Sequence, residues 1–340
     1  MSTSRCWYFN KMPKKDIEAD TLVMREEARP TIEDGQILLR SIYLSMDATN
    51  RLWLSDMDLY MDPIRPGEAM KGFQLAEVVE SRNPDFPVGS LAAGLAPWAE
   101  YSVSDGTGFS IMLRIEGLEL AEAFGVLAIA GPTALVGLME VGRPKKGDVV
   151  VVTAAAGAVG MLVGQIAKIH GCTTIGIAGG AEKCGWLKNE FGYDYAIDYK
   201  NENVIERLRE YAPQGVDLQF ENVGGEMLDA GLTVMKDFGT VVICGLISTY
   251  NNTASDKIPG PYMFRNVIMR RLRIEGFVIL DYLDKYPQYQ EKLAGWMLQG
   301  KLKARMHVVP GVENCVDALK MLYTSANTGK VLVKMGEEPA

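Results

Sequence analysis

Residues 149–160, V-V-V-V-T-A-A-A-G-A-V-G, carry the types and spacing that most directly imply chemistry in this chain. A run of β-branched residues makes a buried strand. Ala155, Gly157 and Gly160, spaced A-x-G-x-x-G, then turn it tightly into a helix over residues 161–170. Backbone at such a turn approaches a pyrophosphate, and the helix N-terminus offers unpaired N–H groups and the positive end of a dipole to hold it. The usual first glycine is Ala155 here. The motif by itself therefore also admits a strand-turn-helix packed closely for structural reasons, and it is the flanking strand and helix that favour the nucleotide site.

The elements around this turn set where such a site opens. After residue 118, strand signals at 149–153, 174–177, 195–197, 218–220, 240–244 and 273–278 alternate with helix signals at 161–170, 182–191, 204–211 and 227–235. That alternation predicts a doubly wound parallel sheet, with ligands at the carboxyl ends of its strands where strand order reverses. A helix at 286–298 and strand-like ends at 306–309 and 331–334 follow, a tail placed to return to the first domain. Between residues 4 and 103 the signals are short strands (5–9, 22–25, 36–43, 74–80, 99–103) separated by Pro, Gly, Asp and Asn, with no helix of convincing length. This reads as a β-rich first domain. A length of 340 residues fits two domains.

Composition narrows the partners. A net charge of −8 argues against nucleic acid and against an anionic membrane surface. The five cysteines are scattered and never in C-x-x-C spacing, which fits free thiols in a reducing cytoplasm. No Cys or His lies between Trp7 and Ile169, so neither a structural nor a catalytic zinc site is expected in that half. The N-terminal segment does not read as a signal peptide. Two apolar stretches, 124–139 and 149–167, read as buried core; the first is sixteen residues with Pro132 inside, short for a bilayer.

An NAD site normally carries Asp or Glu about twenty residues past the glycine turn, on the ribose hydroxyls. Here the second strand, T-T-I-G-I-A, ends in Gly179-Gly180-Ala181, and the acidic position is empty. Lys183 and Tyr199 supply a cation and a hydroxyl suited to a 2′-phosphate. Lys183 alone would read as a solvated lysine at a helix start. It is the missing acid that favours NADP(H) over NAD(H).

Several segments together resemble the zinc-independent double-bond reductases of the medium-chain dehydrogenase/reductase superfamily, such as the prostaglandin, alkenal and curcumin reductases. They are A-A-A-G-A-V-G (154–160), G-Q-I-A-K (164–168), A-E-K-C (181–184), D-Y-K (198–200), E-N-V-G-G-E (221–226), C-G-L-I-S-T-Y-N (244–251), E-G-F-V (275–278) and N-T-G-K (327–330). The N-terminal half matches more loosely, through L-S-M-D (44–47) and V-V-E-S (78–81). The resemblance implies an α/β fold in which a Rossmann NADP-binding domain (123–302) joins a β-rich, GroES-like catalytic domain (1–122 and 303–340). It also implies that Gly157, Ala158, Val159 and Gly160 meet the pyrophosphate, and that Lys183 and Tyr199 meet the 2′-phosphate end. Asn222, Cys244, Gly245, Ser248, Tyr250, Phe277, Val278 and Asn327 would line the rest of the cofactor. The substrate end departs from the family pattern: D-A-T-N-R stands at 47–51 for the usual D-P-x-M-R, G-P-T-A-L at 131–135 for G-x-T-A-Y, and Thr49 and Phe73 fall where some plant members carry tyrosines.

Without zinc, the compatible reaction is conjugate reduction of an α,β-unsaturated carbonyl, with hydride going to the β-carbon and charge accumulating on the oxygen. Tyr250 is the candidate donor to that oxygen, because a phenol of pKa near 10 stays protonated at neutral pH. The competing role for Tyr250 is packing against the nicotinamide ribose, whose hydroxyl could share the proton. Cys244 reads as a contact residue, His170 as a helix C-cap and His307 as solvent-facing. Tyr282, Tyr286 and Tyr289 are either helix surface or a roof over the pocket. The expected partner is a small enone or enal, with a homodimer formed through the edge of the parallel sheet. An NADPH:quinone reductase and a non-catalytic NADPH-binding protein are the alternatives.

Overall fold

The computed structural model describes residues 3–339. Four consecutive valines form the strand Val149–Val152, the last three fully buried. β-Branched side chains crowd a helix but pack well on a pleated surface covered on both faces. Val150 and Val152 enter one apolar core and Val151 the other, as a period of two requires. In space the parallel strands run Tyr195–Asp198, Thr173–Ala178, Val149–Val152, Val216–Glu221, Met235–Ile243 and Arg273–Gly276. Numbered along the chain from Val149–Val152 that order is 3-2-1-4-5-6, and it reverses between Val149–Val152 and Val216–Glu221. In sheets of this kind ligands bind beyond the carboxyl ends of the two strands at the reversal.

A second, mixed sheet is built mainly from the N-terminal third. Ile37–Ser45, Lys71–Ser81, Leu91–Pro97 and Phe109–Ile111 pair antiparallel in that order, and Tyr101–Ser104 also pairs with Ile37–Ser45. From the far end of the chain, Lys330–Lys334 adds antiparallel to Ile37–Ser45, and Met306–Pro310 adds outside it. The last strands of the chain thus fill an edge that the first residues leave open.

The two halves share one helical rod. Leu120 and Phe124 pack on the second sheet, while Val126 to Val141 contribute to the core of the parallel one. This rod runs Leu120–Gly142, 23 residues that contain the apolar stretch 124–139, and most of it is buried inside the fold, as that stretch was expected to be. Among the described residues it is the one helix long and apolar enough to cross a membrane by length and composition. Pro132 does not end it, because wide π-helical turns at Val126–Ala130 and Val136–Gly142 flank the proline and relieve the clash that a regular turn would impose.

Other expectations shift at their edges. A short helix, Thr49–Leu52, interrupts the β-rich third, and Leu91–Pro97 is a strand although L-A-A-G-L-A-P has little β propensity. The helix Gly225–Val234 ends before Met235, which already begins the next strand. The last parallel strand stops at Gly276 rather than Val278. The helix Cys315–Thr324 had no separate signal.

Candidate active site

The glycine turn is set by backbone crowding. Ala154 sits in the left-handed region at φ 48°, and Ala155 N–H returns to Ile177 at 3.0 Å, tying the turn to the neighbouring strand. A Cβ at Gly160 would drive into the Ala154 carbonyl oxygen and stand 2.7 Å from Ala155 Cα, so the helix Gly160–Ile169 can start this close only with glycine there. Among the described residues, no backbone carbonyl takes up the N–H groups of Ala158, Val159 or Gly160. Three unengaged donors at a helix start fit the pyrophosphate of a dinucleotide.

The two strands at the reversal point are stapled to each other. Asn222 N–H donates to Thr153 Oγ1 at 2.8 Å, and its Nδ2 donates to the Thr153 carbonyl at 2.7 Å. Beneath them lies Glu221, fully buried. Its Oε1 accepts from Thr153 Oγ1 (3.0 Å), Val223 N–H (2.7 Å) and Gly224 N–H (2.8 Å), and its other oxygen accepts from Gln219. Burial raises the Glu221 pKa, with these hydrogen bonds opposing the rise. One carboxyl group thereby shapes both loops of the crevice. Sequence reading passed over it, although its place at the head of E-N-V-G-G-E was a signal.

Just past the strand Thr173–Ala178, Gly180 N–H is held by Asp198 Oδ1 at 2.7 Å. The side chains of Tyr199 and Lys200 lie over Gly179. Lys183 donates to the Ser325 carbonyl at 2.9 Å. Burial lowers the Lys183 pKa, and the neighbouring positive charge of Lys200 lowers it further. Two lysines close enough to repel, beside a phenol and with no acid in the expected ribose position, are an arrangement that a dianionic phosphate would relieve. Lys200 is the second residue that sequence reading missed, although D-Y-K contained it.

The loop after Met235–Ile243 brings Tyr250 back over its own start. Leu246 N–H donates to the Tyr250 hydroxyl oxygen at 3.1 Å, and a Cβ at Gly245 would meet that hydroxyl at 3.0 Å. Burial raises the Tyr250 pKa, partly offset by the Leu246 amide and reinforced by Cys244 and Tyr60. Tyr60 comes from the other half of the molecule, where its hydroxyl is 2.7 Å from Thr49 Oγ1. It was not anticipated, since nothing in its local sequence marks it. Among the described residues, no acceptor takes the Tyr250 proton.

Cys244 is buried at its thiol, with a pKa pushed up to about 12, so it is a neutral contact surface rather than a nucleophile. Ser248 Oγ donates to Val223 at 2.6 Å and so braces the opposite loop. Phe277 packs towards Gly137 of the shared rod, Val278 follows it, and Asn327 Nδ2 donates to Gly329 at 2.8 Å. Tyr289 is buried in the apolar core and bonds Glu140 at 3.2 Å, and the Tyr286 hydroxyl is likewise enclosed and raised in pKa by burial and by Asp47. His170 Nδ1 lies 2.8 Å from the Ile166 carbonyl, as a cap does. His307 does not face solvent freely: its Nδ1 lies 3.0 Å from Thr328 Oγ1.

Two family models match the chain, an N-terminal domain of oxidoreductase over residues 5–112 and a zinc-binding dehydrogenase over residues 158–295. The NADPH-dependent curcumin reductase of Escherichia coli is 34% identical, covering 98% of this chain and 97% of its own length. The NADP(+)-dependent 2-alkenal reductase of Nicotiana tabacum is 37% identical, covering 97% of this chain and 96% of its own. The chain belongs to the zinc-independent double-bond reductases of the medium-chain dehydrogenase/reductase superfamily. The crystal structure of CurA from Vibrio vulnificus in complex with NADPH superposes on this reductase with a TM-score of 0.92 at 36% identity, covering 98% of this chain and all of that one. In the reductase, no three His, Cys, Asp or Glu side chains converge as a metal-binding set among the described residues. After the strand Ile37–Ser45, Asp47 is paired instead with buried Lys330 at 2.6 Å.

Proposed function

We propose that the chain reduces the C=C bond of α,β-unsaturated aldehydes and ketones with NADPH, and that Tyr250 is the donor to the carbonyl oxygen. Residues 123–302 would hold the cofactor, and residues 1–122 with 303–340 would shape the substrate side. The N–H groups of Ala158, Val159 and Gly160 would take the pyrophosphate; Lys183, Lys200 and Tyr199 would take the 2′-phosphate. Asn222, Cys244, Gly245, Ser248, Phe277, Val278 and Asn327 would line the remainder. When bound, NADPH supplies the hydride equivalent that adds to the β-carbon.

The observation that carries this reading is the state of the Tyr250 hydroxyl. Its oxygen is already engaged by Leu246 N–H, so its own proton is the group left to point at a ligand. Burial raises its pKa, which keeps the phenol protonated and able to donate as negative charge grows on the substrate oxygen. A preorganised donor of this kind lowers a barrier by roughly 2.7–4 kcal/mol. The hydroxyls of Tyr60 and Thr49 offer further polar contacts from the catalytic half. The test is NADPH oxidation with 3-nonen-2-one beside a benzoquinone. Faster turnover of the enone is expected, and a clear preference for the quinone would overturn the assignment.

A cytoplasmic homodimer fits the same reading. Among the described residues, Arg273–Gly276 pairs on one side only, with Met235–Ile243. Just before it, Tyr262, Phe264, Ile268 and Met269 are exposed. An open strand edge beside an apolar patch is the usual seat of two-fold pairing. Light scattering should return twice the chain mass, and a clean monomer at micromolar concentration would end the idea.

A further inference from the structure

Arg51 is fully buried, yet among the described residues no carboxylate pairs with it. Its Nε and one terminal nitrogen reach the Lys15 carbonyl at 3.3 and 2.7 Å, and the same terminal nitrogen lies 3.5 Å from the Asn251 carbonyl. The remaining terminal nitrogen is enclosed without an acceptor. A guanidinium held only by carbonyls is a poor device for stability, since an apolar side chain of similar size would avoid the desolvation. Its geometry does something else: it gathers two segments that are distant in sequence.

Those segments are tied to each other directly as well. Asp16, next to Lys15, accepts from Asn251 Nδ2 at 2.9 Å. Asp56, five residues after Arg51, accepts from Ala254 N–H at 2.9 Å. The helix that carries Arg51, Thr49–Leu52, is fixed from the C-terminal side by Tyr323, whose hydroxyl donates to the Ala48 carbonyl at 2.6 Å. Every one of these ties joins the catalytic half either to itself or to residues 251–254, and Asn251 immediately follows Tyr250. Residues 251–260 have no helix or strand of their own to set their course.

We infer that Arg51 is a positioning residue which, with Asp16 and Asp56, clasps residues 251–254 to the catalytic half and so fixes where the Tyr250 hydroxyl stands. The inference rests on the reading of Tyr250 as proton donor. Arg51 orders the Lys15 carbonyl, that places Asp16, and Asp16 with Asp56 holds the strap just beyond the tyrosine. Displacement of a reacting group by about 1 Å costs on the order of 100-fold in rate, so a loosened strap acts on turnover first. Cofactor affinity, set by the pyrophosphate and 2′-phosphate ends, should move less.

The test combines Asp16→Ala with Asp56→Ala, two exposed positions whose loss leaves the core intact, and adds Arg51→Lys. In the double variant, enone kcat should fall by about tenfold while the NADPH Kd, read from cofactor fluorescence, stays within about twofold. Amide hydrogen exchange over residues 246–254 should speed up by about tenfold, with Val149–Val152 unchanged. Arg51→Lys keeps a donor for the Lys15 carbonyl and should lie between wild type and the double variant in kcat. A lowered Tm with wild-type kcat and wild-type loop exchange would make Arg51 merely structural and overturn the clasp. Tyr250→Phe is measured alongside. If it is inactive while the clasp variants turn over normally, the clasp alone fails. If Tyr250→Phe keeps full turnover, the donor reading fails and takes the catalytic role of the clasp with it.

Discussion

Tyr250→Phe should lower enone turnover by about tenfold or more while NADPH affinity stays nearly constant, because the substitution removes one hydroxyl that serves the reacting oxygen and leaves the phosphate contacts alone. The ring itself remains to pack over Gly245. The one bond lost within the fold is that from Leu246 N–H, a part-buried backbone donor. A loss in kcat and kcat/KM together is therefore expected, the mark of an interaction made in the transition state. If turnover were unchanged, the tyrosine would be a packing residue and another group would have to protonate the product. A loss confined to NADPH affinity would place Tyr250 against the cofactor alone.

Removing Lys183 and Lys200 together should shift cofactor choice more than any other pair of substitutions. Each charge-assisted bond to a phosphate contributes roughly 1.5–3 kcal/mol, so the double alanine variant should weaken NADPH binding on the order of 100-fold or more. NADH, without the 2′-phosphate, should bind almost as before. The pH dependence has a definite sign. Burial, and then Lys200, hold the Lys183 pKa below that of an ordinary lysine in the free protein. Binding a phosphate favours the protonated ammonium, so as pH rises through the lowered pKa a proton must be taken up on binding, and NADPH affinity falls. That decline should begin below the pH at which an ordinary lysine titrates, and NADH binding should not show it. Equal losses for NADPH and NADH would mean that these lysines act on something other than the 2′-phosphate.

The cofactor half was legible in the sequence because its signals are local. Four valines, a glycine turn and a helix are neighbours in the chain, and the βα alternation implies a doubly wound parallel sheet, whose particular order 3-2-1-4-5-6 only the structure gives. The missing acid after T-T-I-G-I-A was visible for the same reason. Side chains that act across the crevice were not. Lys200 matters through its distance to Lys183, seventeen residues away along the chain and brought close by two adjacent strands. Tyr60 bears on the Tyr250 pKa from the other half of the molecule, and Glu221 owes its role to three donors on two loops. The rod Leu120–Gly142 was visible only as the apolar stretch 124–139, and the π-helical turns that accommodate Pro132 leave no mark in the composition. Leu91–Pro97 is a strand by virtue of its partners Lys71–Ser81 and Phe109–Ile111, not by propensity.

The most direct measurement follows the hydride. The reductase is given NADPH deuterated at the transferring C4 position together with an enone, and the product is analysed by mass spectrometry and NMR. The account predicts a saturated ketone with deuterium on the β-carbon and the carbonyl intact, with a solvent-derived proton on the α-carbon. An allylic alcohol carrying deuterium on the former carbonyl carbon, or a saturated ketone with no deuterium, would contradict it.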